Sequence, residues 1–170
     1  SVSADNVAVT HATATDPGKV VFTLDMPSVQ TDTIGTPDGD QVPEMVAADM
    51  RACFMKAVTK DVVRGQTVNL HYTPISTAIR FNINASEGFS SIKEIRLTAP
   101  QQICGKFSVD FDAQDGFGVT LLEPDDVSKK TITIYAKYRS GENLRVSNSQ
   151  VVELNAFIIP VERAISDDWK

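Results

Sequence analysis

The sequence predicts an all-β domain, an antiparallel two-sheet β-sandwich of about seven or eight strands. Three observations carry that expectation. Val (19), Ile (12) and Thr (15) supply 46 of the 170 residues, whereas Leu supplies only 7; β-branched side chains are stiff at χ1 and fit pleated sheets. Several segments alternate apolar and polar residues with period two, as half-buried strands do. Clusters of Gly, Pro, Asn, Asp and Ser separate these segments, and each half-buried face needs a second sheet to cover it.

A chain of this length makes one domain, large enough for folding to bury about 70% of the unfolded surface. Its 22 acidic and 16 basic residues give a net charge of −6. That is the wrong sign for a phosphate-binding surface, so nucleic acid is not an expected partner. No stretch approaches about 18 uncharged apolar residues, so no transmembrane helix is expected. Cys53 and Cys104 permit one disulfide without requiring it, since either thiol can serve as a small buried hydrophobe. The chain opens on Ser1, so a processed N-terminus is expected, with any signal peptide or lipid-attachment cysteine upstream.

Residues 1–18 are small and polar with little periodicity and read as a flexible leader. Residues 19–162 read as the β-sandwich domain, and 163–170 as a tail or the start of a linker to a second domain. The first strand candidate is 19–25, where Val21, Thr23 and Asp25 alternate with Val20, Phe22 and Leu24. Residues 27–43, dense in Thr, Asp, Gly and Pro, read as a long surface loop. Segment 44–59 is ambiguous. Val46, Met50, Cys53, Phe54 and Ala57 fall at helical spacing after Pro43, yet Met50, Ala52, Phe54 and Lys56 also alternate as a strand.

From residue 67 the pattern is plainer. A short strand is expected at 67–72, and a half-buried one at 77–84, with Ile79, Phe81 and Ile83 on one face. In 91–98 the parity changes after Ile92, which predicts a bulge. Phe107, Val109 and Phe111 share a face of 105–111, and 117–122 follows. The last two strands are 131–138, with Ile132, Ile134, Ala136 and Tyr138 inward, and 151–159, with Val152, Leu154, Ala156 and Ile158 inward.

Little in the chain points to chemistry. There is no G-x-S-x-G, H-E-x-x-H, P-loop or C-x-x-C pattern. His11 lies in the leader, and His71, between Leu70 and Tyr72, reads as a satisfied structural histidine rather than a ligand or base. Asp38-Gly39 and Asp115-Gly116 do not continue into a full calcium loop, so turn chemistry accounts for them. Asp125-Asp126 and Asp167-Asp168 read as solvated loop charges. The single tryptophan, Trp169, makes no sugar-binding platform by itself. No catalytic, cofactor-binding or metal-ligating residue is assigned, no cofactor is expected, and the chain reads as a non-enzyme.

A longer series of motifs says more. It starts at Asp49-Met50-Arg51-Ala52, runs through Gly65-Gln66-Thr67-Val68-Asn69-Leu70-His71-Tyr72, and enters Ser76-Thr77-Ala78-Ile79-Arg80-Phe81-Asn82-Ile83. Phe89-Ser90-Ser91-Ile92-Lys93-Glu94-Ile95-Arg96-Leu97 follows, then Gly105-Lys106-Phe107-Ser108-Val109-Asp110-Phe111. Thr131-Ile132-Thr133-Ile134 and Ala156-Phe157-Ile158-Ile159-Pro160 close it. In this order the series resembles the fimbrillin-like families of Bacteroidales, with their "V-N-L-x-F-x-H", "I-x-x-I-x-L" and "G-x-x-x-V-D-F" strands. The resemblance spans residues 49–161, 113 of 170 positions.

It implies a transthyretin-like β-sandwich at the N-terminal end of a fimbrial subunit or related surface lipoprotein, and a strand at 49–58. Such subunits are exported as lipoproteins to the outer membrane and cell surface, and polymerise by inserting a strand of one copy into a groove of the next. Expected partners are then other copies of the chain or related subunits, with host proteins or glycans as adhesion targets. Any membrane link would run through a lipid anchor upstream. The leader, with Val7 and Val9 in weak alternation, is the expected displaced segment. The alternative is a β-sandwich binding module of a surface glycan- or protein-capture system, using loops such as 27–43.

Overall fold

The fold is described by a computed structural model over residues 7–10, 21–34, 46–59, 61–113 and 118–161. It is all-β, built of short ladders, with single 3-10 turns at Met50–Ala52 and Val127–Lys130 among the described residues. The first sheet is antiparallel throughout, in the order β1 (Val7–Thr10), β2 (Val21–Met26), β9 (Gly105–Asp110) and β10 (Val119–Leu121). In the second, β11 (Thr131–Tyr138) lies between β3 (Val29–Ile34), to which it is parallel, and β8 (Glu94–Thr98), to which it is antiparallel. Three antiparallel pairs complete the set. They join β13 (Val152–Ile158) to β6 (Thr77–Ile83), β12 (Leu144–Ser147) to β7 (Phe89–Ile92), and β4 (Met55–Lys56) to β5 (Thr73–Pro74).

Period-two alternation builds the core from these ladders. Ile132, Ile134, Ala136 and Tyr138 of β11 are buried, as are Val152, Leu154, Ala156 and Ile158 of β13. Of these, Ile132, Ile134, Ala156 and Ile158 share one cluster with Leu24 and Met26 of β2, Phe107 and Val109 of β9, and Phe54 from the turn before β4. A second cluster gathers Val46, Leu144, Val146, Val152 and Leu154; Phe81 and Ile95 pack against both, so the apolar interior is continuous.

Most strands from β6 onward lie close to where the alternation puts them, but several expectations need correcting. In place of seven or eight strands in two sheets, the described residues form thirteen short strands in five hydrogen-bonded sheets, and the β3–β11 pair is parallel. Residues 27–43 are not one surface loop: β3 occupies Val29–Ile34, hidden from inspection because its buried side chains are the polar Gln30 and Asp32. Segment 44–59 is neither helix nor long strand. Asp49 caps one 3-10 turn by accepting from Arg51 N, after which Ser76 Oγ takes the Phe54 amide and the Ile75 amide binds Phe54 O, so the chain turns extended. The resemblance-implied strand at 49–58 shrinks accordingly to Met55–Lys56.

The parity change after Ile92 is more than a bulge. The chain breaks at Lys93 and passes from the β7–β12 pair to the β8–β11 ladder. Strand β12 lies in a stretch to which no strand was assigned, and residues 67–72 make no ladder. Of the leader, Val7–Thr10 form β1; its other residues and the 163–170 tail lie outside the described residues.

Ile134 sits fully buried on β11, opposite Gln30 on one side and Ile95 on the other. Ile134→Ala should remove about 2–5 kcal/mol of unfolding free energy in urea titration. A loss below about 1 kcal/mol would show that the core closes elsewhere.

Candidate functional site

Reactive side chains do not converge. Among the described residues no group of three or more His, Cys, Asp or Glu could hold a metal ion. Cys53 and Cys104 are both free thiols. Cys104 is buried and donates to the carbonyls of Lys129 (3.3 Å) and Thr131 (3.4 Å). Burial pushes its pKa up to about 11, which keeps it a thiol rather than a nucleophile. His71 is not a packed structural histidine but lies exposed; His11, Trp169 and both Asp-Gly pairs lie outside the described residues. Asp126, read as a loop charge, caps the 3-10 turn after it, accepting from Ser128 N (2.9 Å) and Oγ (2.7 Å).

What the molecule presents instead is backbone and apolar surface in three places. The first is the end of the four-stranded sheet, where β1 covers the outer edge of β2. Val7 lies opposite Leu24 and Val9 opposite Phe22, in a four-residue antiparallel ladder. Among the described residues, β2 is otherwise paired only with β9.

A second place is a seam between β3 and β13 that has no backbone ladder. The fully buried Gln30 bridges it: its side-chain oxygen accepts the Phe157 amide at 2.9 Å, and its Nε2 donates to the Phe157 carbonyl. A carboxamide has the same donor and acceptor as a peptide group, so one side chain does here what a neighbouring strand would. At the far end of the seam, Val46 N donates to Glu153 O (3.1 Å) and Thr33 N to Ala47 O (3.0 Å).

Between those ends stand two buried carboxylates. Asp49 is fully engaged: Arg51 binds it bidentately (2.8 and 2.6 Å), and the amides of Thr31 and Arg51 donate to it. Burial opposes its charge, but these donors win and hold its carboxyl below the ordinary range. Asp32 fares worse. Its Oδ1 accepts from Asp49 N at 3.2 Å, and the Asn155 amide leans toward it, yet Oδ2 is buried without a hydrogen bond of good geometry. Burial raises its pKa to about 6, partly countered by the Asp49 and Asn155 amides and reinforced by the nearby Asp49 charge. None of these residues carries a motif. The one available signal was Val29, Thr31 and Thr33 alternating with Gln30 and Asp32 inside a stretch dominated by turn formers.

The third place is an arm. Its base is the β4–β5 pair, and its tip is the turn closed by Gln66 N on Val63 O (3.1 Å), where Gly65 adopts φ +87°. Base and tip share one antiparallel register, and Thr59 Oγ1 donates to Asn69 O between them (3.3 Å). Every described residue from 58 to 74 is exposed. At alternate positions stand Val68, Leu70 (51% exposed) and Tyr72 (62%), with Val58, Val62 and Val63 on the other leg.

Exposed aromatics are otherwise few. Phe54 and Phe107 are buried, Phe22, Phe81, Phe111 and Phe157 are half-buried, and Phe89 is 69% exposed beside Ser90, Ser91 and Arg145. No family model matches the chain, and no curated protein or solved structure is significantly similar to it.

The two seam carboxylates set opposite pH dependences. Asp32 binds its proton more tightly folded than unfolded (about 6 against 3.8), so its contribution is complete below pH 3.8 and is lost as pH rises through 6. Asp49 contributes above pH 3.8, and its share is lost as pH falls below that value. In urea titrations, Asp32→Asn should gain on the parent between pH 4 and pH 7, by roughly 3 kcal/mol. A parent–variant difference that stays constant over that range would contradict the assignment.

Proposed function

We propose that the chain is a structural or adhesive cell-surface protein, a fimbrillin-like subunit or accessory, that assembles by β-strand insertion. The observation that carries this reading is β1: a strand from the leader, four residues long, covering the edge of β2. Removing it would leave the N–H and C=O groups of β2 unpaired on that side, beside the inward positions Phe22 and Leu24. An edge of that kind takes up an extended segment of another chain, with backbone hydrogen bonds giving affinity and alternate side chains giving specificity.

Other copies or related subunits are the natural donors, and export to the cell surface on a lipid anchor upstream accords with the same reading. A transthyretin-like ancestry of the sheets belongs with it. A glycan-binding module would draw on exposed aromatics converging on one face. Phe89 and Tyr72 stand on separate elements, which favours the structural reading.

Deleting residues 1–18 should convert the protein into oligomers that persist on dilution, read by multi-angle light scattering. A truncated chain that folds and stays monomeric would sink the strand-insertion mechanism.

A further inference from the structure

One stretch of the seam is held more thinly than the core around it. Val46 is the one fully buried apolar side chain of residues 46–51. Among the described residues, four hydrogen bonds tie that stretch to the strands beneath. Val46 N donates to Glu153 O (3.1 Å) and Thr33 N to Ala47 O (3.0 Å). Asp49 N donates to Asp32 Oδ1 (3.2 Å) and Thr31 N to Asp49 Oδ2 (3.1 Å), so two of the four end on a carboxylate. Beyond the stretch the chain is pinned: Ser76 Oγ donates to Ala52 O and accepts the Phe54 amide, both at 2.9 Å, with Ala52 and Phe54 buried. Gln30 ties β3 to Phe157 of β13 without help from residues 46–51.

Asp32 has no counter-charge in this arrangement. Arg51 gives both of its donors to Asp49 (2.8 and 2.6 Å). On β13, Glu153 is held by Arg80 of β6 (3.3 Å) and by Asn155 Nδ2 (3.0 Å), and Asn155 offers Asp32 only its backbone amide. Strand β11 places Ala136 opposite Asp32 and Tyr138 two residues on; the Tyr138 hydroxyl, also buried without a hydrogen bond, carries no positive charge. Lys137, between them, lies on the other face over the Tyr135 ring (5.2 Å). An ionised Asp32 is therefore a second buried anion beside Asp49 with one oxygen bare, whereas a protonated one is a neutral donor beside a carboxylate. Burial first, and the Asp49 charge after it, accordingly raise its pKa to about 6 against the counter-effect of the two amides.

We propose that the Asp32–Asp49 contact is a proton-operated latch: a proton on Asp32 holds residues 46–51 across the seam, and its loss lets that stretch swing out from Ala52 while the strands beneath stay paired. The open state gives up little burial beyond Val46, hands Asp32 to water and leaves Asp49 beside Arg51 on the same stretch. It uncovers the Thr33 amide and the Glu153 carbonyl, backbone groups on the facing edges of β3 and β13. The share of Asp32 in closing the latch is complete below pH 3.8 and lost as pH rises through 6, about tenfold per pH unit and roughly a hundredfold in all. Asp49 sets the acid limit, because its own contribution is lost below pH 3.8. The latch is thus tightest near pH 4. It works within one chain and is independent of whether chains lacking residues 1–18 polymerise.

Amide exchange followed residue by residue from pH 4 to pH 7.5, with urea added below the unfolding transition, tests it. Protection factors remove the intrinsic pH dependence of exchange. The amides of Val46, Asp49, Thr31 and Thr33 should lose roughly a hundredfold in protection between pH 4 and pH 7. Their exchange at pH 7 should respond little to urea, as a small local opening requires. Amides of the β6–β13 ladder should be better protected at pH 7 and exchange faster as urea is added. In Asp32→Asn the four seam amides should hold a nearly constant protection over the whole range.

Seam amides equally protected at pH 4 and pH 7 overturn the proposal. So does exchange of all four in step with the β6–β13 amides, at the same urea dependence, because the stretch would then leave only when the whole chain unfolds. An Asp32→Asn protein that keeps the parent's pH dependence would assign the proton to another group and also overturn it. Should that variant not fold, the two readings on the parent decide alone.

Discussion

The side chain of Gln30 holds together two parts of the fold that no backbone ladder joins. Strands β3, β11 and β8 form one sheet and β13 with β6 another, and among the described residues no strand is paired with the edge of β13 that faces β3. An unsatisfied peptide group in an interior costs about 1–3 kcal/mol, so that edge has to be answered. Gln30 answers it at Phe157, Val46 answers it at Glu153, and the Asp32–Asp49 pair fills the space between. Ile132 and Ile134 of β11 and Ala156 and Ile158 of β13 meet in one apolar cluster. That packing depends on the seam keeping the two ladders side by side.

The solution is not free of cost. Asp32 leaves one oxygen buried without a good partner, next to a second carboxylate. Burial of an under-satisfied acid is unfavourable when ionised, which places the seam's best pH between the ordinary carboxylate range and the raised pKa of Asp32. Asp49 avoids the same fate because Arg51, mostly exposed, reaches in with both guanidinium donors.

How much could be read in advance follows from what each strand buries. In β11 and β13 every second residue is apolar and fully covered, so alternation alone located both strands and their inward rows. Strand β3 inverts that code. Its covered positions are Gln30 and Asp32, whose partners lie on β13 and at Asp49, and no local pattern announces partners so remote. The arm fails in the opposite sense. Val68, Leu70 and Tyr72 alternate as cleanly as any strand in the chain, but alternation tells which residues share a face, not what covers it. The break at Lys93 is intermediate: the parity change was visible, whereas the exchange of ladder partners depends on β12, too short to stand out among its turns. Thus the apolar interior was legible, and the polar seam and exposed arm were not.

The most direct measurement is hydrogen exchange at the Phe157 amide in the parent and in Gln30→Leu, with unfolding free energies from urea titration. Leu keeps the volume and removes both hydrogen bonds, leaving the Phe157 N–H and C=O buried and unanswered. If the seam holds the two ladders together, the Phe157 amide is strongly protected in the parent, loses that protection in the variant, and stability falls by roughly 2–5 kcal/mol. Equal protection in both proteins, with stability within about 0.5 kcal/mol, would show that packing alone aligns β3 with β13.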